Sequence, residues 1–571
     1  MNKIFNNTIR TGAVALASLL ACYSCSDTWD EHYEPTVGGV VVDATLYQQI
    51  KADKGLSDFV EIIDATGYKA LLDESQIVTV FAPVNGTFNK DSLLNEIAIG
   101  HKDLVIQRFV KNHIARYNYS STPNEQSILM LNKKRTTFTD GIVGVDKIPA
   151  KSVNTVCTNG VLHVMTNSLP FHTNIYEYME TEPLMAEIYG FLRSYDEDSL
   201  DVNRSVYRGV DAEGNRIYVD SVLITANDAM RQLDSYIYEE DSDYIAIVPT
   251  NEAYKARYEE VKTYFNYNPN EEDGDSLQEY YANYYVLNTL FYNKNANFHQ
   301  EDSLKSTVYN PYDPKYNVFY KPFEEGGILA PGNYVEKIEC SNGTLYKVDV
   351  IPTTIYDAFF RDIEIECERG GSINQDLDEK GNGKYTKTCN YTAISENNDA
   401  ISKGGYLDAQ PSSTSGQPFV AFNIPNTLSG TYDMYVVTIP LRMGHGVQDA
   451  DTLKPYQFRV NMFYRSAKED KAGAVWPTTK SETLKNPADP AGKEQNFVSD
   501  PLEIDTIFLG TKTFTECYYN TTQVGVMMQI QAYVSSSQTK NYSRRMLLDE
   551  IILKPHKDPV EATEVKKTPK H

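Results

Sequence analysis

Residues 79–88 read Thr79-Val80-Phe81-Ala82-Pro83-Val84-Asn85-Gly86-Thr87-Phe88. An apolar run closed by proline predicts a strand that stops at Pro83, because proline fixes φ and donates no ladder hydrogen bond. Asn85 is then placed to cap a following turn or helix with its side chain. The arrangement returns at 245–254, Ile245-Ala246-Ile247-Val248-Pro249-Thr250-Asn251-Glu252-Ala253-Tyr254. Each copy is an apolar strand, a proline, one residue, an asparagine, and an aromatic three positions later. Recurrence of a whole pattern signals an internal repeat.

A second pair of runs comes after the first. Residues 159–170 read Asn159-Gly160-Val161-Leu162-His163-Val164-Met165-Thr166-Asn167-Ser168-Leu169-Pro170, and Asn342-Gly343-Thr344-Leu345-Tyr346-Lys347-Val348 leads to Pro352. Asn-Gly is a tight-turn signal, here opening a strand that closes with proline. Between the paired runs lie stretches with near-helical apolar spacing, Leu104 to Tyr117 and Tyr280 to Tyr292.

This order resembles the fasciclin domain. The resemblance rests on the strand ending Thr-Val-Phe-Ala-Pro with Asn and an aromatic, on the Asn-Gly-Val-Leu-His-Val run, and on Asn112-His113 where the family has a Tyr-His pair. It assigns residues 44–171 to one fasciclin copy. Residues 172–353 become a second, divergent copy, with Phe291-Tyr292 at the Tyr-His position. An insert runs from Tyr195 to Val222 and carries a hairpin-like turn at 211–215. The family implies a compact α+β domain used in adhesion and extracellular binding, with His113 and His163 in structural roles, and no catalytic activity.

After Ile355 the texture becomes β. Thr431–Thr438, Gln457–Tyr464, Thr513–Glu516, Val524–Val534 and Met546–Pro555 read as strands separated by turn signals. Residues 354–556 therefore form an all-β sandwich or jelly roll. The closing Leu548-Asp549-Glu550-Ile551-Ile552-Leu553-Lys554-Pro555 resembles galactose-binding-type jelly rolls, found in many carbohydrate-binding modules. The fold class is multi-domain: two α+β fasciclin domains followed by an all-β sandwich. The charged tail 557–571 carries too little apolar surface to pack.

The amino terminus is an address. Lys3 and Arg10 precede a short apolar run, Ala13 to Ala21, too short to span a membrane and read as a signal peptide over 1–21. Leu19-Leu20-Ala21-Cys22 resembles a bacterial lipobox, which makes Cys22 the lipidated residue, with Cys25 as rival. The acidic tether, 22–43, resembles the surface-export signal of Bacteroidetes lipoproteins. The implied location is the outer membrane, anchored by buried acyl chains and facing the cell exterior.

Composition narrows the function. The chain has 571 residues, 41 % hydrophobic and 23 % charged, with a net charge of −25. That balance suits a folded multi-domain body and disfavours a nucleic-acid partner, since phosphate recognition needs a basic face. Of the seven cysteines, Cys22 and Cys25 belong to the anchor region, and the remaining five, Cys157, Cys340, Cys367, Cys389 and Cys517, hold no CxxC and give no zinc or redox motif. Cys367 and Cys389 are close enough in sequence to pair, while buried free thiols fit most of the five body cysteines. No Gly-x-Ser-x-Gly or Walker fingerprint stands in a strand-to-helix context, and no histidine pair has metal spacing. The runs at 376–387 and 268–279 fail as EF-type calcium loops, through Lys380 and Lys387 in the first and the late Gly274 in the second. No cofactor is expected, and only a non-EF structural calcium in the β-sandwich stays open. Tyrosine is over-represented, 42 residues against 22 Phe and 2 Trp. Its flat face and hydroxyl suit sugar stacking and wet interfaces, and strands favour it anyway. Trp476, in a long loop, is the candidate ligand platform.

The expected function is a non-catalytic surface lipoprotein. Fasciclin pairs with a β-sandwich resemble accessories of TonB-dependent import systems with a SusD-like lipoprotein lid, capturing glycan or peptide. The alternative is an adhesin acting through the fasciclin pair.

Overall fold

The strand Val78–Pro83 is buried at all six positions. It pairs in parallel with Gly160–Met165, which is equally buried, and antiparallel with Ile114–Arg116. A strand buried on both faces needs the continuous apolar run seen in its sequence. The computed structural model describes residues 39–557 except 75–76, 201, 203–204, 213, 221–222, 270, 295–302, 375–388, 449, 466–479 and 522–524. Cys22, Cys25 and Trp476 therefore lie outside the described residues, as do the loop 376–387 and nearly all of the tail. The end of the expected tether is structured: Val40–Val41 pairs in parallel with Thr155 and Val156.

The strand order around Val78–Pro83 continues from Gly160–Met165 to Ile148–Cys157 and out to Gln126–Leu129 at the far edge. Helices Leu46–Ala52 and Ser57–Thr66 cover one face, burying Leu46, Ile50, Phe59 and Ile62 in one apolar cluster. A smaller cluster around Phe81, Phe138 and Met165 fills the other side.

The helix expected over Leu104 to Tyr117 is broken. Lys102–Val105 is α, Ile106–Val110 widens to a π turn, Lys111–His113 tightens to a 3-10 turn, and Ile114–Arg116 is already strand. Helical spacing of Leu104, Val105, Phe109, Val110 and Ile114 hid the change, because strand pairing with Val78–Val80 claims Ile114. Likewise the helix in the second half spans Gly274–Leu287, and Phe291–Asn293 is a strand.

In residues 172–353 the strands Phe291–Asn293, Tyr244–Pro249, Gly343–Val348 and Glu336–Cys340 lie side by side in that order, with the central pair parallel. The register sets Tyr244 opposite Gly343 as Val78 stands opposite Gly160. It also sets Ala246 opposite Phe291 as Val80 stands opposite Ile114. The residues matching Asn112-His113 by register are thus Thr289-Leu290, two positions before the expected Phe291-Tyr292. The insert forms the antiparallel pair Val206–Val210 and Arg216–Asp220 around the expected turn.

Beyond residue 354 lie two antiparallel sheets. One holds Cys389–Ser395, Gly405–Pro411, Met546–Pro555, Gly430–Thr438 and Asp505–Phe514, with Ile363–Glu366 on Met546–Pro555. The other holds Phe419–Ile424, Val526–Ala532, Gln457–Tyr464 and Lys480–Thr483, with Phe497–Val498 on Gln457–Tyr464. Asp505–Phe514 is one strand rather than a lead-in to 513–516, and Leu509 is the extra residue of a bulge opposite Met434 and Tyr435. Buried Tyr456 ties the sheets by donating to the Leu547 carbonyl at 2.6 Å. One continuous apolar cluster runs from Ile175 through residues 172–353 and on through these sheets to Leu553.

Candidate functional site

Asparagines and glycines hold the fasciclin-like sheet in place. Asn159 Oδ1 accepts from the Leu46 N–H, and its Nδ2 donates to the Leu72 and Glu74 carbonyls. A Cβ at Gly160 would stand 2.0 Å from the Val78 carbonyl oxygen. Asn85 does not cap a turn or helix downstream of it. Its Oδ1 accepts from Asp58 N–H, capping the earlier helix Ser57–Thr66, while Nδ2 donates to Lys54 O and Ser57 Oγ. Only tertiary folding brings that helix start to Asn85.

His113 and His163 are buried and neutral. The Leu169 N–H donates to His113 Nε2, so the ring proton sits on Nδ1 and is given to the Phe109 carbonyl. His163 Nδ1 accepts from Asn154 N–H and Nε2 donates to the Tyr119 carbonyl. Burial lowers both to a pKa of about 4. Both rings staple backbone to backbone, the structural role expected of them.

A cleft lies where Asn112 and residues 127–172 meet residues 339–341, with a volume of about 560 Å³. Beside it a lysine crosses between the two units. Lys134 Nζ donates to Glu177 Oε2 at 2.8 Å, Glu240 Oε1 at 2.7 Å and Ser341 Oγ at 3.1 Å. The Lys134 side chain is only 6 % exposed, so the pairing is a buried one and removal of a partner strands a charge. Glu177 also closes the capping box of the helix Ile175–Thr181, and Glu240 accepts from Asn174 Nδ2. Arg135 Nε adds an outer ion pair to Asp241 at 2.5 Å.

The second unit meets the β sheets through aromatics. Phe265 stacks on Tyr281 and Tyr285, and Tyr519 packs edge-on against Phe265 and Tyr281. Tyr267 donates to the Tyr519 carbonyl. Backbone bonds join Cys517 N–H to Asn266 O and Ser429 N–H to Tyr264 O. Asn268, in the run that fails as a calcium loop, reaches Glu516 instead. Many tyrosines pack here and in the core, where Tyr244, Tyr292, Tyr406, Tyr432 and Tyr456 are fully buried, while Tyr117, Tyr312 and Tyr320 are exposed.

Carboxylates gather where Ile363–Glu366 meets Met546–Pro555. Glu366 stands opposite Glu550 in the ladder. Asp549 accepts from Ser402 N–H, and Glu366 takes Lys403 Nζ at 2.9 Å. Burial, reinforced by the neighbouring carboxylates, pushes Asp549 and Glu550 up to about 7. Among the described residues no group of three or more His, Cys, Asp or Glu is arranged to hold a metal ion. Lys403 Nζ is the cation seated on the Glu366 carboxylate of this cluster. Cys157, Cys340, Cys367 and Cys517 are free thiols. Burial raises Cys157 to about 11 and Cys340 and Cys517 to about 12, which keeps them protonated.

The profile of the fasciclin domain family matches residues 54–170. Residues 54–170 are a fasciclin domain. Among solved structures, the chain is similar to a fasciclin domain pair from the insect cell adhesion molecule Fasciclin I. That match has 13 % identity and a TM-score of 0.18, covering 53 % of this chain and 98 % of that one. Two further likenesses cover 32 % of this chain each. One is to a Paenibacillus xanthan lyase, at 12 % identity and TM-score 0.18, over 13 % of that chain. The other is to the enzymatically active domain of a bacteriophage tailspike, at 6 % identity and TM-score 0.17, over 21 % of that chain.

Proposed function

We propose that this protein is a non-catalytic binding protein of the outer-membrane surface. In this reading lipid on Cys22, or on its rival Cys25, anchors it facing the cell exterior. It serves a TonB-dependent import system beside a transporter and a SusD-like lid, helping to capture glycan or peptide. Residues 172–353 act as a second, divergent fasciclin domain, and residues 354–556 as a galactose-binding-like jelly roll. The observation that carries the reading is the union of the fasciclin domain with the unit behind it through buried Lys134. Such a joint presents two units as one rigid surface, which suits binding more than turnover. The repeated strand order and the matching Asn-Gly pins support the second copy.

Affinity purification of the full-length lipidated protein from detergent-solubilised outer membrane tests this. Recovery of a transporter and its lipoprotein lid in comparable amounts is expected. Recovery of the protein alone turns the reading to the adhesin that the fasciclin domain also supports. In that case deletion of residues 44–353 abolishes cell adhesion.

A further inference from the structure

The Lys134 junction brings together more than opposite charges. Glu240 Oε1 accepts from Lys134 Nζ at 2.7 Å and from Asn174 Nδ2 at 2.9 Å, so one carboxylate oxygen touches both an amine and a carboxamide. The other carboxylate makes a second bridge: Glu177 Oε2 accepts from Lys134 Nζ at 2.8 Å and from the Asn174 backbone N–H at 2.9 Å. The Glu177 N–H in turn donates to Asn174 Oδ1 at 2.8 Å, which fixes the orientation of the amide. Asn174 is 4 % exposed, and the Lys134 and Glu240 side chains are 6 % and 9 % exposed. The Phe171 ring lies 4.9 Å from Lys134 Nζ. Lys347 gives a contrast. It is buried between Glu182 and Glu336 in the same way, but among the described residues neither of those carboxylates holds a carboxamide.

A lysine amine becomes a nucleophile when an adjacent base takes its proton. Glu240 is within hydrogen-bond reach of both the proton to be taken and the nitrogen that must leave. The Glu177 N–H already stands at the oxygen on which negative charge develops during attack at Asn174 Cγ. Burial keeps water from competing for that carbon. We propose that Lys134 and Asn174 are a covalent modification site, joined by an intramolecular amide bond that welds the fasciclin domain to the unit behind it. Lys134 Nζ bonds to Asn174 Cγ, and the Cγ–Nδ2 bond breaks. Of the three ammonium protons, one stays on the new amide and one remains on Glu240. The third passes through Glu240 to Nδ2, which departs as ammonia. Nothing is oxidised or reduced, and no co-reactant is needed. The bond goes beyond the surface-binding reading and is independent of what that surface binds.

Chymotryptic digestion of the full-length protein, read by tandem mass spectrometry, tests it. The expected product is a branched peptide joining the segment that carries Lys134 to the segment that carries Asn174, at their summed mass less one ammonia. Lys347 should appear only in linear peptides. Lys134→Arg keeps the positive charge, and Glu240→Gln keeps a hydrogen-bonding side chain while removing the base. Each should abolish the branched peptide, with circular dichroism showing that the variant has folded. The parent protein alone can overturn the proposal, by yielding linear peptides in which Lys134 is free and Asn174 keeps its amide. A branched peptide at the summed mass less one water would also overturn it, since the bond would then lie on a carboxylate. So would a branched peptide that persists undiminished in Glu240→Gln. If the transporter and lid still co-purify with Lys134→Arg, the surface-binding reading survives the loss of this one.

Discussion

In the fasciclin domain Asn159 holds one backbone N–H and two carbonyls, and in the following unit Asn342 does the same. Asn342 Oδ1 accepts from Ile175 N–H, and its Nδ2 donates to the Ile237 and Glu239 carbonyls. Asn251 accepts from Glu187 N–H and donates to the Pro183 carbonyl, repeating Asn85. A Cβ at Gly343 would stand 2.0 Å from the Tyr244 carbonyl oxygen, repeating Gly160. The side chains between these pins differ. By register Leu290 replaces His113 and Tyr346 replaces His163. The attachments differ as well. The fasciclin domain keeps its own apolar clusters and joins its neighbour through ions, whereas the second unit shares one apolar core with the β sheets. Backbone geometry tolerates few substitutes at a pin, while a buried slot can be filled by a stapling histidine or by an apolar residue.

The largest effect should come from Gly160→Ala and Gly343→Ala. Each sets a methyl against a carbonyl oxygen in a central strand pair, and each should cost about 4 kcal/mol or more in urea unfolding. A mild effect at Gly343 alone would break the equivalence of the halves. Lys134→Met is next. It leaves Glu177 and Glu240 facing a vanished charge and should destabilise the pair of units by about 3 kcal/mol. Hydrogen exchange should then quicken in the helix Ile175–Thr181, whose cap Glu177 completes, and hardly at all in the β sheets. Asn159→Ala and Asn342→Ala should each cost about 2–3 kcal/mol, because three backbone groups lose their partner. Unequal losses would show that one half relaxes around the gap.

Acid separates the halves most finely. His113 and His163 are depressed to about 4 in the folded state, below the ordinary value of about 6.5. The unfolded chain therefore binds more protons between these values, and stability falls as pH drops through that window. Exchange from pH 7 to pH 4.5, divided by the intrinsic rate at each pH, should show opening that rises in the fasciclin domain and rises less in residues 172–353, which carry Leu290 and Tyr346 at those places. The carboxylate cluster has the opposite sign. Asp549 and Glu550 are raised to about 7 when folded, so their contribution is full below the ordinary carboxylate pKa and is lost as pH rises through 7. Asp549→Asn should flatten that slope in the β sheets and leave the fasciclin domain's response unchanged.

Sequence alone determined the two proline-closed strands, the Asn-Gly turns, the hairpin in the insert and the β texture after residue 354. Each is a local pattern: an apolar run, a residue that cannot donate, or a turn dipeptide. It also carried the fasciclin resemblance, because Asn85, Asn159 and His163 sit in contiguous runs. Only the tertiary structure decided what those side chains hold. Asn85 looks forward in sequence but caps a helix about thirty residues behind it. The register of Ala246 with Phe291 moved the counterpart of Asn112-His113 to Thr289-Leu290, since strand pairing is set by long-range hydrogen bonds that no spacing along the chain records. The cleft, the Lys134 junction and the Asp549 cluster were invisible for the same reason. Their members lie many residues apart, and burial and neighbouring charge, which give those groups their chemistry, exist only once the chain has folded.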